Sequence, residues 1–185
     1  MRNIDILCIG EVLVDFIGHQ TGVNINETRD YHRYLGGSPT NVAMNSARLG
    51  LKSVLVAAVG NDAFGEYVFK RLEEVGVDTK YIKTVEGKPT SVIFVSRTES
   101  TPDFIPFREA DYRITQNQVN KHILKDTTIF HTTCFALSKD PAQTTILRKA
   151  EEAYNLGCTL SIDVNYAKKL WDSQAQALKV IKAYC

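Results

Sequence analysis

Two short stretches of almost unbroken apolar sequence constrain the fold most strongly: Ile4 to Ile9, with one aspartate near its start, and Ser53 to Val59. Runs of this length read as strands covered on both faces, which is the signature of a parallel sheet flanked by helices. Further along, Thr128 to Thr132 and Cys158 to Ile162 repeat the same texture. Helical segments fall between them. One runs from Pro39 to about Leu49 and stops at Gly50. A second runs from about Phe64 to Val75, with Phe64, Val68, Leu72 and Val75 on one stripe, and stops at Gly76. A third runs from Asp140 to Leu156, with Pro141 in its first turn and Gly157 as its stop. A fourth runs from Leu170 to Tyr184. Proline inside the start and glycine just past the end suit helix termini. Strands alternating with helices predict an α/β layered, doubly wound fold with a mostly parallel sheet.

Other β-prone segments fall outside that rhythm. Val12 to Gly18 and Tyr31 to Leu35 are extended candidates joined by the polar stretch Gln20 to Asp30. Thr90 to Arg97 and Pro102 to Phe107 form a hairpin pattern across the polar turn Thr98-Glu99-Ser100-Thr101. Residues 12–35 and 90–108 are therefore expected to build a small side sheet, suited to serve as a lid or as a dimer surface.

A chain of 185 residues can bury a real core as one domain. Its 22 basic and 21 acidic residues leave a formal net charge of +1, which gives no electrostatic footprint for nucleic acid. The apolar runs are far too short to span a bilayer. The opening residues lack the layout of a signal peptide. The cysteines Cys8, Cys134, Cys158 and Cys185 lack metal-knuckle spacing. A cytoplasmic protein with structural thiols is expected, acting on neither membranes nor nucleic acid.

The densest concentration of chemistry is Gly36-Gly37-Ser38-Pro39-Thr40-Asn41, opening directly into a small-residue helix. Paired glycines permit close backbone approach, and the free amides of the helix start face whatever occupies the turn. Asn41 adds both a donor and an acceptor. The segment ends without the Gly-Lys-Ser/Thr of a Walker loop. It does not join the first strand to a helix, so it is no dinucleotide fingerprint either. A Gly-Gly pair alone is equally an ordinary turn. Asp15 lies among Val12, Leu13, Val14, Phe16 and Ile17, where a carboxylate needs partners such as sugar hydroxyls unless it faces solvent. Glu11 is a weaker candidate of the same kind. Asp163 and Asn165 follow a strand at the end where open parallel sheets hold ligands, although a loop cap also uses such residues. His131, Thr132 and Thr133 occupy a similar place after their own strand, but a lone histidine there reads as structural. Arg108, next to Phe107, has donors for a hydroxyl or a phosphate, or is a surface charge.

Taken together, these residues resemble the ribokinase-like, or PfkB, carbohydrate kinases, most closely the fructokinases. The resemblance rests on Gly36 to Ala43, Ala47-Arg48-Leu49-Gly50 and Val59-Gly60-Asn61-Asp62-Ala63-Phe64-Gly65. Gly10-Glu11 with Val14-Asp15-Phe16, and Phe107-Arg108-Glu109-Ala110-Asp111, extend it. The resemblance implies a ribokinase-like fold whose side sheet closes over a sugar and pairs two lids in a homodimer. It implies transfer of the ATP γ-phosphoryl group, with Mg²⁺, to a hydroxyl of fructose. It assigns Asp15, Gly36, Gly37, Asn41 and Arg108 to the sugar, and Asp163 and Asn165 to the transferred phosphate. Two departures stand out: Val164 replaces a proline, and Ala167 replaces an arginine, with Lys168 beside it. The family's base is an aspartate in Gly-Ala-Gly-Asp, which is absent here, so the resemblance implies the front part of such a kinase, with the base expected beyond Cys185. The alternative is a non-catalytic carbohydrate-binding or dimerising module. A nicotinamide oxidoreductase is disfavoured by the first βα turn.

Overall fold

The computed structural model describes residues 2–99 and 102–185. Ser100 and Thr101 of the expected hairpin turn lie outside the described residues. The elements in chain order are β1 (Ile4–Ile9), β2 (Leu13–Thr21), β3 (Tyr31–Gly36), α1 (Ser38–Arg48), β4 (Ser53–Gly60), α2 (Ala63–Glu73) and β5 (Ile82–Val85). They continue with β6 (Val92–Arg97), β7 (Phe104–Phe107), α3 (Lys121–Asp126), β8 (Thr127–Thr133), α4 (Ala142–Asn155), β9 (Thr159–Asp163) and α5 (Gln174–Tyr184).

The main sheet has the order β5-β4-β1-β8-β9, and every pair in it is parallel. Every residue of β4 is buried, because its side chains divide between two cores. On one face, Leu7, Ile9, Val54, Val56 and Phe130 pack with Ile123, Ile146, Ala150, Ala177 and Tyr184 from α3, α4 and α5. On the other, Ile6, Cys8, Leu55, Ala57 and Val59 meet Ala43, Met44, Val68 and Leu72 from α1 and α2. The unbroken apolar runs are thus the consequence of two covered faces. Thr132 adds a polar tie, its hydroxyl donating to the Ile9 carbonyl at 2.8 Å.

The second sheet has the order β3-β2-β6-β7. Two antiparallel pairs, β2 with β3 and β6 with β7, are joined by parallel pairing of β2 with β6. One face turns to α2 through aromatic contacts: Phe16 lies 5.7 Å edge-on to Phe64 and stacks 5.1 Å from Phe94. Alternation along the strands then sends Leu13, Asp15 and Ile93 to the opposite face.

Several boundaries differ from the sequence expectation. Strand β2 runs on to Thr21, so Gln20 belongs to it and not to the connection; its side chain accepts from the amides of Arg29 and Asp30 across the loop. Pro141 precedes α4 as its capping residue instead of lying in the first turn. The last helix begins at Gln174, because Ser173 caps it by accepting from the Gln176 amide; Lys168–Leu170 forms only a short 3₁₀ turn. Cys158 is buried just ahead of β9, its thiol donating to the Leu124 and Thr127 carbonyls.

Asp62 connects the two layers. Its carboxylate caps α2, accepting from the amides of Phe64 and Gly65, and also accepts from the amide and hydroxyl of Thr90 at 2.7 Å each, just before β6. Desolvation raises its carboxyl, but the bonds from Thr90, Gly65 and Phe64 outweigh it and hold it below the ordinary value. A depressed carboxylate stabilises the fold above its unfolded value and loses that contribution as pH falls through the folded one. Asp62→Ala is expected to cost about 1–2 kcal/mol in urea denaturation at neutral pH. The gap to the unsubstituted chain should shrink below about pH 4.

Candidate functional site

A cavity of about 370 Å³ opens where β1, β8 and β9 end, beneath the inner face of the second sheet. This is the crevice beyond the carboxyl ends of parallel strands, where adjacent connections part. Strand ends, the start of α1 and the second sheet supply its lining.

The paired glycines explain how the chain is threaded past it. In the β2–β3 pair, Gly36 sits opposite Leu13, two pairs from Asp15 and on the same face. A Cβ on Gly36 would overlap the Asp15 carboxylate and the Leu13 side chain, so only glycine lets Asp15 lie across β3 toward the cavity. Gly37 has φ of 104° as the residue preceding α1, and a Cβ there would overlap the Glu11 carbonyl oxygen. Both positions are therefore fixed by contact as well as by conformation. Helix α1 begins immediately afterwards, with Pro39 tolerated in its first turn.

Three carboxylates line the cavity: Glu11, Asp15 and Asp163. Asp163, at the end of β9, accepts from the Ser38 hydroxyl at 2.6 Å and from the Asn165 amide at 3.0 Å. Glu11 is 3% exposed and accepts from the Ser38 amide at 3.1 Å and the Thr133 hydroxyl at 2.7 Å. Asp15 has no hydrogen-bond or ion-pair partner among the described residues, and desolvation pushes its carboxyl up to about 6. A half-desolvated carboxylate with no protein donor is chemically unfinished and asks for hydrogen-bond donors from a ligand.

Of the residues anticipated from sequence, Asp15, Gly37, Asn41, Asp163 and Asn165 are brought together on this cavity. Gly36 shapes it from behind. Arg108 is placed one layer back: its guanidinium donates to Asp111 at 2.7 and 2.9 Å and to the Ser138 hydroxyl at 2.6 Å, and lies 4.1 Å over the ring of Phe135, which does line the cavity. His131 is buried beneath Thr133 on β8, its Nδ1 3.0 Å from the Ser161 hydroxyl. Burial, against the pull of the Asp163 charge, holds it below its ordinary value. Ser38, Phe104 and Phe135 also line the site and were not singled out from sequence, whereas Thr133, expected with His131 just after its strand, does reach the cavity. Ser38 alone had a local signal, as the residue between Gly-Gly and Pro-Thr-Asn.

The sequence matches a family model, pfkB family carbohydrate kinase, over residues 3–185. The chain belongs to the pfkB family of carbohydrate kinases. It is similar to an ATP-dependent 6-phosphofructokinase of Thermoanaerobacterium thermosaccharolyticum, 33% identical over 98% of this chain and 56% of the relative. It is likewise similar to a fructokinase of Solanum tuberosum, 33% identical over 96% of this chain and 56% of the relative. Among solved structures it superimposes on the fructokinase of Halothermothrix orenii with a TM-score of 0.88 at 32% identity, covering 96% of this chain and 65% of that one. A sugar kinase of Pyrococcus horikoshii solved in complex with ATP gives a TM-score of 0.90 at 32% identity, covering 97% and 59%. The chain thus spans a little over half the length of the curated pfkB relatives it matches, and it shares their α/β ribokinase-like fold with its second small sheet.

The pfkB pocket carries a measurable cost. A carboxyl whose folded value is raised from 3.8 to about 6 loses stability as pH climbs through that window and stays penalised above it. Asp15→Asn is therefore expected to stabilise the chain by about 2 kcal/mol at pH 8, with no gain below about pH 4, read from paired denaturation curves.

Proposed function

We propose that this chain forms the sugar-binding half of an ATP-dependent carbohydrate kinase acting on fructose. The observation that carries the reading is Asp15, an unpartnered carboxylate aimed into a cavity at the strand ends of a pfkB fold. Its two oxygens accept vicinal sugar hydroxyls. The Asn41 side chain, on the first turn of α1, donates to one hydroxyl and accepts from another. Leu13, Ile93 and Phe104 give the apolar wall that a sugar's C–H face packs against. The fructokinases among its relatives support fructose, and the phosphofructokinase relative supports the same ketose skeleton.

Asp163 and Asn165 stand across the cavity from Asp15, at the end of β9. In this reading they orient the phosphate to be transferred, and the amides at the start of α1 add positive potential nearby. ATP supplies the phosphoryl group. Among the described residues no group of three or more His, Cys, Asp or Glu side chains converges as metal ligands, so Mg²⁺ enters this proposal with the nucleotide phosphates. Arg108 acts through Phe135, whose ring it backs, and not by touching the sugar. The base that accepts the sugar proton is assigned to sequence outside this chain, which is why this chain alone is proposed to turn over far more slowly than its relatives. No helix among the described residues is long and apolar enough to cross a membrane; a cytoplasmic location is part of this proposal.

Calorimetry with D-fructose tests the reading. The chain is expected to bind the sugar, and Asp15→Asn to weaken binding by about tenfold to a hundredfold, the worth of a hydrogen bond to a charged group. Fructose binding that is absent, or untouched by Asp15→Asn, overturns it.

A second proposal concerns assembly. Phe107 and Ile105 on the edge strand β7 are 56% and 43% exposed, side by side on one face of the second sheet. We infer that this sheet pairs with its copy in a homodimer. Phe107→Glu should shift sedimentation toward the monomer without changing the fold seen by circular dichroism.

A further inference from the structure

The paired strand ends around Glu11 carry an arrangement that the substrate contacts do not use. Three segments far apart in sequence converge on one carboxylate. Its Oε1 accepts from the first amide of α1, at Ser38, and its Oε2 accepts from Thr133 at the end of β8. Its carbonyl accepts from the Thr40 hydroxyl at 3.0 Å, which fixes its own backbone to the same helix turn. The Thr133 oxygen in turn accepts from the Ala136 amide at 3.1 Å, so its proton is committed to Glu11. Ser38 then passes the link onward through its hydroxyl to Asp163, and Asp163 to the Asn165 amide.

We propose that Glu11 is a positioning residue of the pocket, whose protonation state sets the place of Ser38 and, through the Ser38 hydroxyl, of Asp163. Every donor around Glu11 is arranged for the ionised form. If a proton binds Oε2, the Thr133 hydroxyl must turn its own proton away from Glu11 while Ala136 still occupies one of its lone pairs, and the tie between Glu11 and the end of β8 changes. Burial opposes ionisation, and with the bonds from Thr133 and Ser38 and the Arg108 charge acting the other way the carboxyl stands at about 7. The charged or titratable groups facing it are Asp163 from β9, Asp15 from β2, Arg108 with its partner Asp111 from the segment after β7, His131 from β8 and the Cys134 thiol just after that strand. The two ends of the network therefore switch together near neutral pH.

Amide resonances of the ¹⁵N-labelled 185-residue chain test this directly. The amides of Ser38 and Asn165 are expected to share one titration step with a midpoint near 7. In Glu11→Gln, a non-titrating isostere whose single side-chain oxygen keeps one of the two contacts, the step disappears from both. In Ser38→Ala the amide at position 38 still follows Glu11, and that of Asn165 no longer does. Asp15→Asn leaves the step in place, which separates it from the other pocket carboxylate. A step that persists in Glu11→Gln, or an Asn165 step that survives Ser38→Ala, overturns the proposal. A companion measurement rests on the sugar reading: fructose affinity is compared between about pH 5.5 and about pH 8.5, across which Glu11 and Asp15 both ionise, and Glu11→Gln should remove the part of the pH dependence centred near 7 while leaving the part that Asp15 contributes near 6. Absence of fructose binding at both pH values, with the resonance coupling intact, sinks the sugar reading and leaves the coupling established.

Discussion

Close packing of oxygen against glycine organises this molecule. The Asp15 carboxylate lies over Gly36 and the Glu11 carbonyl presses on Gly37, so the chain can leave the second sheet and start α1 within two residues. That short passage puts the first amides of a helix, the end of β1 and a carboxylate of β2 around one cavity. A side chain at either glycine pushes these apart, and the polar groups that line the crevice no longer face one cavity.

Stability and binding pull in opposite directions at this place. The core is ordinary, with two covered sheet faces and helices whose stripes match them. The pocket is the exception: Asp15 and Glu11 are both raised by desolvation, and Asp15 has no donor among the described residues to compensate. Charged groups held in poorly solvated positions tend to mark function because a fold optimised only for stability would pair or remove them. Glu11 and Asp15 differ in an instructive way. Glu11 is surrounded by donors and serves the architecture of the site, whereas Asp15 is left open to whatever enters.

Much of this was legible in the sequence, for physical reasons that differ by element. Strands β1 and β4 announce themselves because residues buried on both faces must all be apolar. Helix α2 shows its apolar stripe and its glycine stop. Strand β5 and helix α3 escaped: β5 has only Ile82 and Val85 as inward residues in four positions, and α3 has six residues, too few to display a helical period. The start of α5 was misplaced because Leu170 and Trp171 continue the apolar pattern, and the decision is made by the Ser173 side chain capping Gln174 onward. Within the site, the glycines, Asp15, Asn41, Asp163 and Asn165 could be read from local pattern. The burial of Arg108 against Asp111 and Phe135, and the convergence of Thr133 on Glu11, depend on contacts between residues distant in the chain, which no local pattern encodes.

The second sheet joins the main body through four chain crossings, near Glu11, Gly37, Ser91 and Arg108, and its two hairpins are welded by the parallel ladder of β2 on β6. It therefore behaves mechanically as one stiff plate hung at its base. Any tilt carries Asp15, Ile93 and Phe104 as a unit, narrowing or widening the mouth above Asp163 while every ladder within the plate stays whole.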